Sequence, residues 1–365
     1  MSNGTEDGPV ARRERIAALV AARGTARVSD LAAELGAAPV TVRRDVEALA
    51  GQGRLHRRHG VVSAAPPDVA ALGTVVAISE SPSGYLGEIL RGADAAVAAH
   101  GGRYVLEVAR DAAATRAAVQ RAAHARDVSG ILYAPRWRSA DELASDPAAG
   151  ACPPEVPMVL VERFAPRGSL LSQRDAVRSD HATGVHQALS HLRAHGHRRI
   201  VAFCRDDSPT ARTVRGCFAD AMRSLGLPVL AEPALSSDHA DAARRLEAPD
   251  PVEVVRRLGA TGMLVHSDTD ALGLVPRLVG AGLRVPDDIS VVAYDDVVAG
   301  LGDVRLTAVA PPKREVGQAA VELLAWRASA PQAPYRHLEI APHLVERHSV
   351  RSPGTTDRSQ VIERS

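Results

Sequence analysis

The chain has 365 residues, a formal net charge of +1 and only 3% aromatic residues. This length exceeds that of one small domain and leaves room for several globular units, each with its own core. The first ten residues, MSNGTEDGPV, are polar and acidic and contain no apolar run. We therefore expect neither a signal peptide nor a membrane span, and we predict a cytoplasmic protein without membrane contact.

The cysteine and histidine patterns indicate neither a disulfide framework nor a metal site. The three cysteines are Cys152, Cys204 and Cys217. Their odd number and wide spacing, without a Cys-x-x-Cys pair, favour buried and unreactive thiols. His191, His195 and His197 lack zinc-ligand spacing and lie near a glycine that ends a predicted helix, so we expect them to be structural. Because phosphate-loop, nucleophile-elbow and His-Glu-x-x-His motifs are also missing, we predict no cofactor, no metal and no enzymatic activity.

The chain is predicted to begin with a small helical domain. Residues 1–11 are expected to be disordered, and the first amphipathic helix is predicted from Arg12 to Arg23, where Gly24 stops it. Two further helical periods follow, separated by Gly36. Their apolar residues are Leu31, Leu35, Val42, Val46 and Leu49. Two short helices joined by a tight turn predict a helix-turn-helix.

The third helix carries the expected DNA-reading face. Ser29 is predicted to cap the second helix with its hydroxyl, and Pro39 suits the first turn of the third helix because it lacks an N–H. Helical spacing turns Val42, Val46 and Leu49 inward. The residues left outside or at the flank are Val40, Thr41, Arg43, Arg44 and Glu47. Arg43 and Arg44 would then meet a DNA duplex.

A basic segment follows the third helix. After the glycine-containing turn at residues 51–53, residues 54–60 predict a short strand-turn-strand, as in a winged helix-turn-helix. Residues 12–60 contain ten arginines and five carboxylates, whereas the whole chain is nearly neutral. Local positive charge of this kind is typical of a phosphate-contacting surface, although a solvated face of an ordinary helical subdomain is the alternative. The predicted DNA-contacting residues are Ser29, Thr41, Arg43, Arg44, Arg54, Arg57 and Arg58.

Residues 12–62 resemble the N-terminal domain of DeoR-type bacterial regulators. The matching residues are Arg13, Ile16, Val28–Ala32, Leu35, Gly36, Thr41–Asp45, Leu49, Gly53, Arg57, His59 and Gly60. The resemblance implies a winged helix-turn-helix whose third helix enters the major groove, with wing arginines on phosphate or in the minor groove. The segment departs from the family at Ala38, where a capping serine is usual, which predicts a less stable helix start.

The remaining chain is predicted to form a larger α/β domain. Residues 63–73 are small and nearly uncharged, which predicts a linker, and residues 351–365 are expected to form a flexible tail. From residue 74 to 350, short β-branched runs alternate with amphipathic helical patterns. Alternation of this kind favours parallel sheets covered by helices. The predicted strands are 75–78, 104–108, 130–133, 158–161, 200–203, 262–266 and 290–293, and the predicted helices are 85–100, 115–125, 184–195, 213–225, 251–258 and 270–280. The number of predicted strands and helices favours a domain of two parallel-sheet lobes rather than one.

The region from about residue 74 to 350 resembles the effector-binding domain of LacI/GalR-type regulators. The residues that carry the likeness are Leu90–Gly92, Val128–Leu132, Val161–Arg163, Gly196–Ile200, Asp268–Leu272, Val285–Asp296, Leu306–Val309, Glu315–Gly317, Ala320–Leu324 and Leu344–Arg347. The resemblance implies the two-lobed fold of periplasmic sugar-binding proteins, with a small effector between the lobes. That family's hinge helix is not expected in residues 63–73, so the chain looks like a chimera of two regulator families.

Residues that follow strands are the candidate ligand contacts, because ligands of parallel-sheet lobes bind beyond the carboxyl ends of the strands. Charged side chains can pair with sugar hydroxyls, and an aromatic ring can pack on the apolar face of a sugar. The predicted effector-binding residues are Ser81, Tyr85, Trp137, Glu162, Asp180, Arg212 and Asp268. The family resemblance implies effector contacts for Asp268, Glu162 and Arg212. Arg215 is the rival of Arg212, because Arg212 stands one residue too far from the following glycine.

Several of these positions have a structural alternative. Trp137 could pack inside a lobe, and Arg163 could form a surface ion pair. Asp295 and Asp296 are expected to cap a helix or turn rather than to contact a ligand.

Together these features predict a ligand-responsive transcriptional regulator. We expect a homodimer that binds a two-fold operator in double-stranded DNA and represses carbohydrate-use genes under the control of a sugar-like effector. The alternatives are a solute-binding protein for sugar transport and a sugar-processing enzyme. The missing export signal and the basic N-terminal domain argue against the solute-binding protein, and the missing catalytic motifs argue against the enzyme.

Overall fold

The computed structural model describes residues 9–51, 55–58, 61–64, 72–82, 84–205, 209–230 and 250–353. The chain divides into two compact units, Met1–Leu72 and Gly73–Ser365. Most of the predicted linker and of the predicted C-terminal tail lies outside the described residues. None of the described helices is long and apolar enough to cross a membrane.

The N-terminal unit combines helices with a small antiparallel sheet. Its described helices are α1 (Pro9–Arg23), α2 (Val28–Glu34) and α3 (Pro39–Gly51), and its described strands are β1 (Thr25–Arg27), β2 (Leu55–Arg58) and β3 (Val61–Ala64). Strand β3 lies between β1 and β2. Helix α1 begins at Pro9, earlier than the predicted Arg12, and so includes the last of the residues expected to be disordered.

The apolar residues predicted from helical spacing form the core of this unit. Its fully buried members are Ile16, Val20, Leu31, Val42, Val46, Leu49 and Val62. Between α2 and α3, Gly36 has a φ of 60°, a backbone conformation that glycine adopts without the steric cost of a Cβ atom. The turn at Gly36 therefore sets α3 on the core that α1 and α2 share.

The larger unit begins with the first lobe. Its elements before the first crossover are β4 (Thr74–Ser79), α4 (Gly84–Ala99), β5 (Arg103–Val108), α5 (Ala112–His124), β6 (Val128–Ala134), α6 (Ala140–Ala144), β7 (Met158–Val161) and β8 (Asp175–Ser179). The strands of this lobe pair in parallel, as the alternating pattern predicts. A short 3-10 helix, Leu170–Gln173, lies between β7 and β8.

The second lobe follows, and the chain then returns to the first. The remaining described elements are α7 (His181–Ala194), β9 (Ile200–Cys204), α8 (Pro209–Ser224), α9 (Pro251–Leu258), β10 (Gly262–His266), α10 (Asp268–Gly280), β11 (Ser290–Tyr294), β12 (Thr307–Ala310), α11 (Lys313–Ser329), β13 (His337–Ile340) and β14 (His343–Val345). The strand orders are β13-β8-β7-β6-β4-β5 in the first lobe and β14-β12-β11-β10-β9 in the second. Only β14 runs antiparallel to its neighbour among these described strands.

Helix α11 packs closely against α4 in the first lobe. A Cβ atom on Gly92 would lie 2.2 Å from the carbonyl oxygen of Arg314, and one on Gly317 would lie 2.0 Å from that of Ile89. Both distances are far below a van der Waals contact, so the absence of a side chain at these two positions permits the helix crossing. This crossing holds α11, the helix through which the chain returns to the first lobe.

Strand β8 was not predicted from the sequence, although four of its five residues are buried. Its first residue is Asp175, whose carboxylate accepts hydrogen bonds from Arg327 Nε at 2.7 Å and Nη2 at 2.9 Å. A charged residue interrupts the apolar run on which strand prediction depends, and its partner lies far away in the sequence. Strands β12, β13 and β14, which are three or four residues long, were omitted as well.

Candidate DNA-binding surface and ligand cleft

Helix α3 presents its polar residues to solvent because its apolar residues are fixed in the core. Arg43 and Arg44 are exposed and Thr41 is half-buried on this helix. Asp45 is 3% exposed, and its carboxylate accepts hydrogen bonds from Arg12 Nε at 2.6 Å and Arg13 Nε at 2.9 Å. These ion pairs join α3 to α1 and set the rotation of α3. This role of Asp45 was not predicted from the sequence, although Asp45 belongs to the family motif.

The predicted capping role of Ser29 is wrong. Helix α2 begins at Val28 directly after β1, so Ser29 lies inside the first turn, and Arg27 holds the capping position without a side-chain cap. The exposed hydroxyl of Ser29 instead donates to Asp30 Oδ1 at 3.0 Å. The helix starts early because Val28 is part of the core. A DNA contact of Ser29 stays a prediction.

The wing is built from β2 and β3. Arg57 and Arg58 lie in β2, opposite Val62 and Val61 of β3. Arg54 lies outside the described residues. The strand pair therefore places two of the predicted wing arginines on a hairpin that follows α3, and their DNA contacts stay predictions.

The larger unit has a cleft of about 340 Å³ between its lobes, at the carboxyl ends of their strands. Its lining residues are Ser79, Glu80, Ser81, Tyr85, Leu86, Ala134, Pro135, Arg136 and Arg163 from the first lobe, and Arg205, Thr210, His266, Ser267, Thr269 and Asp295 from the second. Of the seven predicted effector contacts, this cleft brings together Ser81 and Tyr85. It also adds Arg163, which extends from the end of β7, and His266, which ends β10.

Asp268 has a different position from the one that its predicted role requires. It is 2% exposed, and its Oδ2 accepts hydrogen bonds from the backbone N–H groups of Val297, Val298 and Ala299 at 2.5, 2.6 and 3.1 Å. A carboxylate with three such bonds holds the loop after β11 against the start of α10. The cleft is lined by its neighbours Ser267 and Thr269 instead.

Glu162 lies beneath the cleft in a buried polar network. The carboxylate accepts hydrogen bonds from the Tyr85 hydroxyl at 2.7 Å and the Ser179 backbone N–H at 3.2 Å, and it lies 3.1 Å from His181 Nε2. Burial acts to raise the pKa of Glu162, but the contacts with His181 and Tyr85 hold this pKa below its usual value. The network positions Tyr85 at the cleft and spans the crossover between β8 and α7.

Trp137 and Asp180 have structural contacts in this structure. Trp137 is 5% exposed in the core of the first lobe, and its indole Nε1 donates to Asp146 Oδ2 at 2.5 Å. This position agrees with the packing alternative. Asp180 caps α7, accepting from the Thr183 backbone N–H at 2.9 Å and hydroxyl at 2.6 Å. Neither residue lines the interlobe cleft.

Two arginines connect the lobes beside the cleft. Arg212, on α8, donates through Nη1 to the carbonyl of Arg138 at 2.8 Å and through Nη2 to that of Trp137. From the other lobe, Arg163 donates to the Pro135 carbonyl at 2.9 Å and through Nη1 to Thr210 Oγ1 at 3.4 Å. Burial lowers the pKa of Arg163, and neighbouring Arg212 adds to this effect. Arg163 is thus an interlobe residue rather than half of a surface ion pair.

His266 and Asp295 differ from the satisfied groups around them. They end or follow the neighbouring strands β10 and β11, and each is 6% exposed. Both ring nitrogens of His266 and Oδ1 of Asp295 lack a hydrogen-bond partner among the described residues. Burial lowers the pKa of His266 to about 4, and burial together with the charge of Asp268 raises the pKa of Asp295 to about 7. The capping role expected for Asp295 is not observed, while Asp296 pairs with Arg347 at 2.7 Å.

Two families of known domains match separate parts of the chain. Residues 12–66 match the family described as the DeoR-like helix-turn-helix domain, and residues 189–350 match the periplasmic binding protein-like domain. Residues 12–66 are therefore similar to DeoR-like helix-turn-helix domains, and residues 189–350 are similar to periplasmic binding protein-like domains. The matches confirm both parts of the predicted chimera.

Individual relatives match about half of the chain. The HTH-type transcriptional repressor PurR of Aliivibrio fischeri is 31% identical over 201 residues, which are 54% of this chain and 58% of the relative. PurR of Photobacterium profundum is 29% identical over the same shares of the two chains. The match thus spans 58% of the length of each of these two relatives.

Solved structures share the two-lobed fold. A LacI family transcriptional regulator from Enterococcus faecium with bound ribose has a TM-score of 0.60 at 22% identity, and the match covers 77% of this chain and all of the other. The complex of the transcriptional regulator CelR with cellobiose has a TM-score of 0.61 at 23% identity, over 86% of this chain and 91% of the other. These likenesses confirm the fold predicted for the periplasmic-binding-protein-like domain, the α/β class with parallel sheets.

Proposed function

We propose that this chain is a ligand-responsive transcriptional repressor of carbohydrate-use genes, acting in the cytoplasm as a homodimer on operator DNA. The observation that carries the proposal is the pairing of an exposed Arg43-Arg44 face on α3 with an interlobe cleft in the same chain. An arginine pair on a recognition helix can contact guanine edges and phosphates. A cleft of this kind suits a small polar effector.

The effector would act by its different affinity for two arrangements of the lobes. Arg163 and Arg212 each donate to an acceptor in the opposite lobe, so a separation of the lobes would break these contacts. A sugar-like molecule in the cleft would favour closure and change the spacing of two DNA-binding domains in a dimer. We propose no catalytic role for any residue of the cleft.

The first experiment is fluorescence anisotropy of the full-length chain with the DNA upstream of its own gene, at physiological salt and against a random duplex. We expect the upstream DNA to bind at least roughly 1,000-fold more tightly, as is typical of specific regulators. Ribose and cellobiose, the sugars bound in the two similar structures, are the first effectors to be added. Equal weak binding to both duplexes would contradict the proposal for this DNA.

A pair of arginine substitutions tests the recognition helix. Arg44→Ala should weaken specific binding by roughly 5-fold or more, because each base-edge contact contributes about 1–3 kcal/mol. The matched control is Arg116→Ala, which removes the same charge from an exposed position on α5. Equal affinities of the two variants for the upstream DNA would contradict the assignment of α3.

A further inference from the structure

The helix that carries the predicted DNA contacts also has an exposed apolar side chain. Val40 is the second residue of α3 and is 62% exposed, whereas Val42 and Val46 of the same helix are 0% exposed. Helical spacing explains the difference, because Val42 and Val46 point into the core and Val40 points away from it. Val40 is therefore not part of the core of the N-terminal unit.

Val40 lies on the same helix face as the two exposed arginines. Arg43 and Arg44 follow it by three and four positions, the spacings that bring side chains together on one face of a helix. Glu47, seven positions after Val40, is exposed on this face as well. The face that α3 presents to solvent thus begins with a branched apolar side chain and continues with two cations.

The fold gives no reason for a valine at this position. Valine has one of the lower helix propensities among ordinary residues, and an exposed side chain removes little apolar surface from water. A single exposed apolar residue is common on protein surfaces. What distinguishes Val40 is its place in the first turn of α3, because the first residues of a recognition helix are the ones that contact base edges.

We propose that Val40 contacts the C5-methyl group of a thymine in the major groove and so determines the base preference at one operator position. The inference rests on the proposed function in assuming that α3 enters the major groove. Thymine is the only one of the four bases with a methyl group in that groove, and an apolar side chain can contact it. Arginine reads guanine through O6 and N7, so Val40 and the two arginines would read different bases.

The geometry of the helix also limits where that thymine lies. Each residue of an α-helix advances about 1.5 Å along the axis, so Arg43 and Arg44 lie about 4.5 and 6 Å beyond Val40. Successive base pairs of the duplex are about 3.4 Å apart. The thymine should therefore lie within about two base pairs of a guanine that one of the arginines contacts.

The closing experiment selects the preferred duplex of the full-length protein from a random-sequence DNA pool, and then replaces each thymine of that duplex by deoxyuridine in turn. Deoxyuridine keeps the hydrogen-bonding groups of thymine and lacks only the methyl group. One replacement should weaken binding of the unmodified protein by roughly 4-fold or more, the effect of losing one buried methyl group. The same replacement should not weaken binding of Val40→Ala, whose affinity for the thymine duplex should already be lower by a similar factor.

Val10→Ala is the matched control. Val10 is the second residue of α1, follows a proline as Val40 does, and is 72% exposed. Val10→Ala should keep the full effect of the deoxyuridine replacement, because α1 is not the recognition helix. Val40→Ala should leave the melting temperature unchanged, since substitution at an exposed position has little effect on stability. A lost thymine preference at an unchanged melting temperature would separate base recognition from folding.

Two results would overturn the inference. One is a deoxyuridine effect that Val40→Ala retains in full at every thymine, and the other is a selected duplex in which no thymine is sensitive to the replacement. In both cases the protein still binds a preferred DNA sequence, so the proposed function stands. If the unmodified protein enriched no sequence from the pool, the result would contradict both the proposed function and the inference.

Discussion

The buried charges of the first lobe and those of the cleft obey opposite rules. At the edge of the first lobe, Asp175 and Arg327 are 1% and 6% exposed, and Arg327 also donates to the carbonyls of Pro331 and Ala333. In the cleft, His266 and Asp295 are as deeply buried but unsatisfied within the described chain. Complete pairing stabilises the first lobe, whereas buried polar groups without hydrogen bonds lower the stability of the cleft.

The largest expected effect comes from breaking the satisfied pair. Arg327→Met should lower the free energy of unfolding by about 3–5 kcal/mol, because it leaves the buried carboxylate of Asp175 without a positive charge beside it and with only the Arg336 N–H as a donor among the described residues. Urea denaturation measures the change. The control is Arg178→Met, whose partner Glu339 is 42% exposed in its side chain and whose loss should cost less than about 1 kcal/mol. Similar losses of unfolding free energy in both variants would show that the buried ion pair stabilises the protein no more than the exposed one.

Asp268→Ala should have the next largest effect. The substitution removes the acceptor of three backbone N–H groups, which should lower the free energy of unfolding by roughly 2–3 kcal/mol. Asp268→Asn keeps one acceptor oxygen in place and should recover part of the loss. If Asp268→Ala abolished the sugar response at unchanged stability, Asp268 would be an effector contact as the family resemblance implies.

The pH dependence of stability should reveal the two buried titratable groups of the cleft, His266 and Asp295. The pKa of Asp295 is raised to about 7, so its contribution to stability is present at low pH and is lost as pH rises from about 4 to 7. The pKa of His266 is lowered from 6.5 to about 4, so its contribution is present above pH 6.5 and is lost as pH falls to about 4. The two slopes, about 1.4 kcal/mol per pH unit each, oppose one another between about pH 4 and 6.5.

Removing either group should expose the slope of the other. His266→Leu should become less stable as pH rises through this window, and Asp295→Asn should become more stable. The charged groups that act on Asp295 are Asp268, Lys313, His181 and Glu162, and those that act on His266 are His181, Asp270 and Arg205. Denaturation of all three proteins between about pH 4 and 7.5 measures the slopes. Parallel pH profiles would show that neither group titrates as its surroundings indicate.

Arg212→Ala should loosen the lobes with a smaller cost in stability. The side chain donates to two main-chain carbonyls of the opposite lobe, and carbonyls at a half-buried site can bond to water instead. Small-angle scattering should therefore detect a larger radius of gyration in the ligand-free variant. Arg215→Ala, about one helical turn away on α8, is the control. An effect of Arg215→Ala alone would support the rival assignment from the sequence.

Some of these features follow from the sequence and others depend on distant residues. Helical spacing was enough to place Val42, Val46 and Leu49 in a core, because neighbours along a helix share a face. The strands β10 and β11 were predicted because they are continuous apolar runs. The residues that line the cleft were harder to predict, because the environment of a residue after one strand depends on the loops that follow other strands.

The two aspartates of the second lobe illustrate that difficulty. Asp268 was favoured as a ligand contact and Asp295 as a cap, yet Asp268 binds the backbone of residues 297–299 and Asp295 lines the cleft. Both follow a buried strand and both are candidates by position. What separates them is the course of the loop after β11, which brings three N–H groups to one carboxylate and, among the described residues, none to the Oδ1 of the other. The course of the loop after β11 cannot be predicted from sequence periodicity.

The smallest predicted effect concerns Ser29. It tests whether a side chain without a capping hydrogen bond contributes to the stability of a helix start. Ser29→Ala should change the free energy of opening of the first turn of α2 by less than about 0.5 kcal/mol, because the Ser29 hydroxyl bonds only to Asp30 among the described residues. Asp111→Ala is the control, since Asp111 caps α5 by accepting from the Ala114 N–H at 2.8 Å and should cost about 1 kcal/mol there. Amide hydrogen exchange measures each helix separately. A loss at Ser29 as large as that at Asp111 would mean that Ser29 caps α2 in solution, and that α2 begins at Asp30 rather than at Val28.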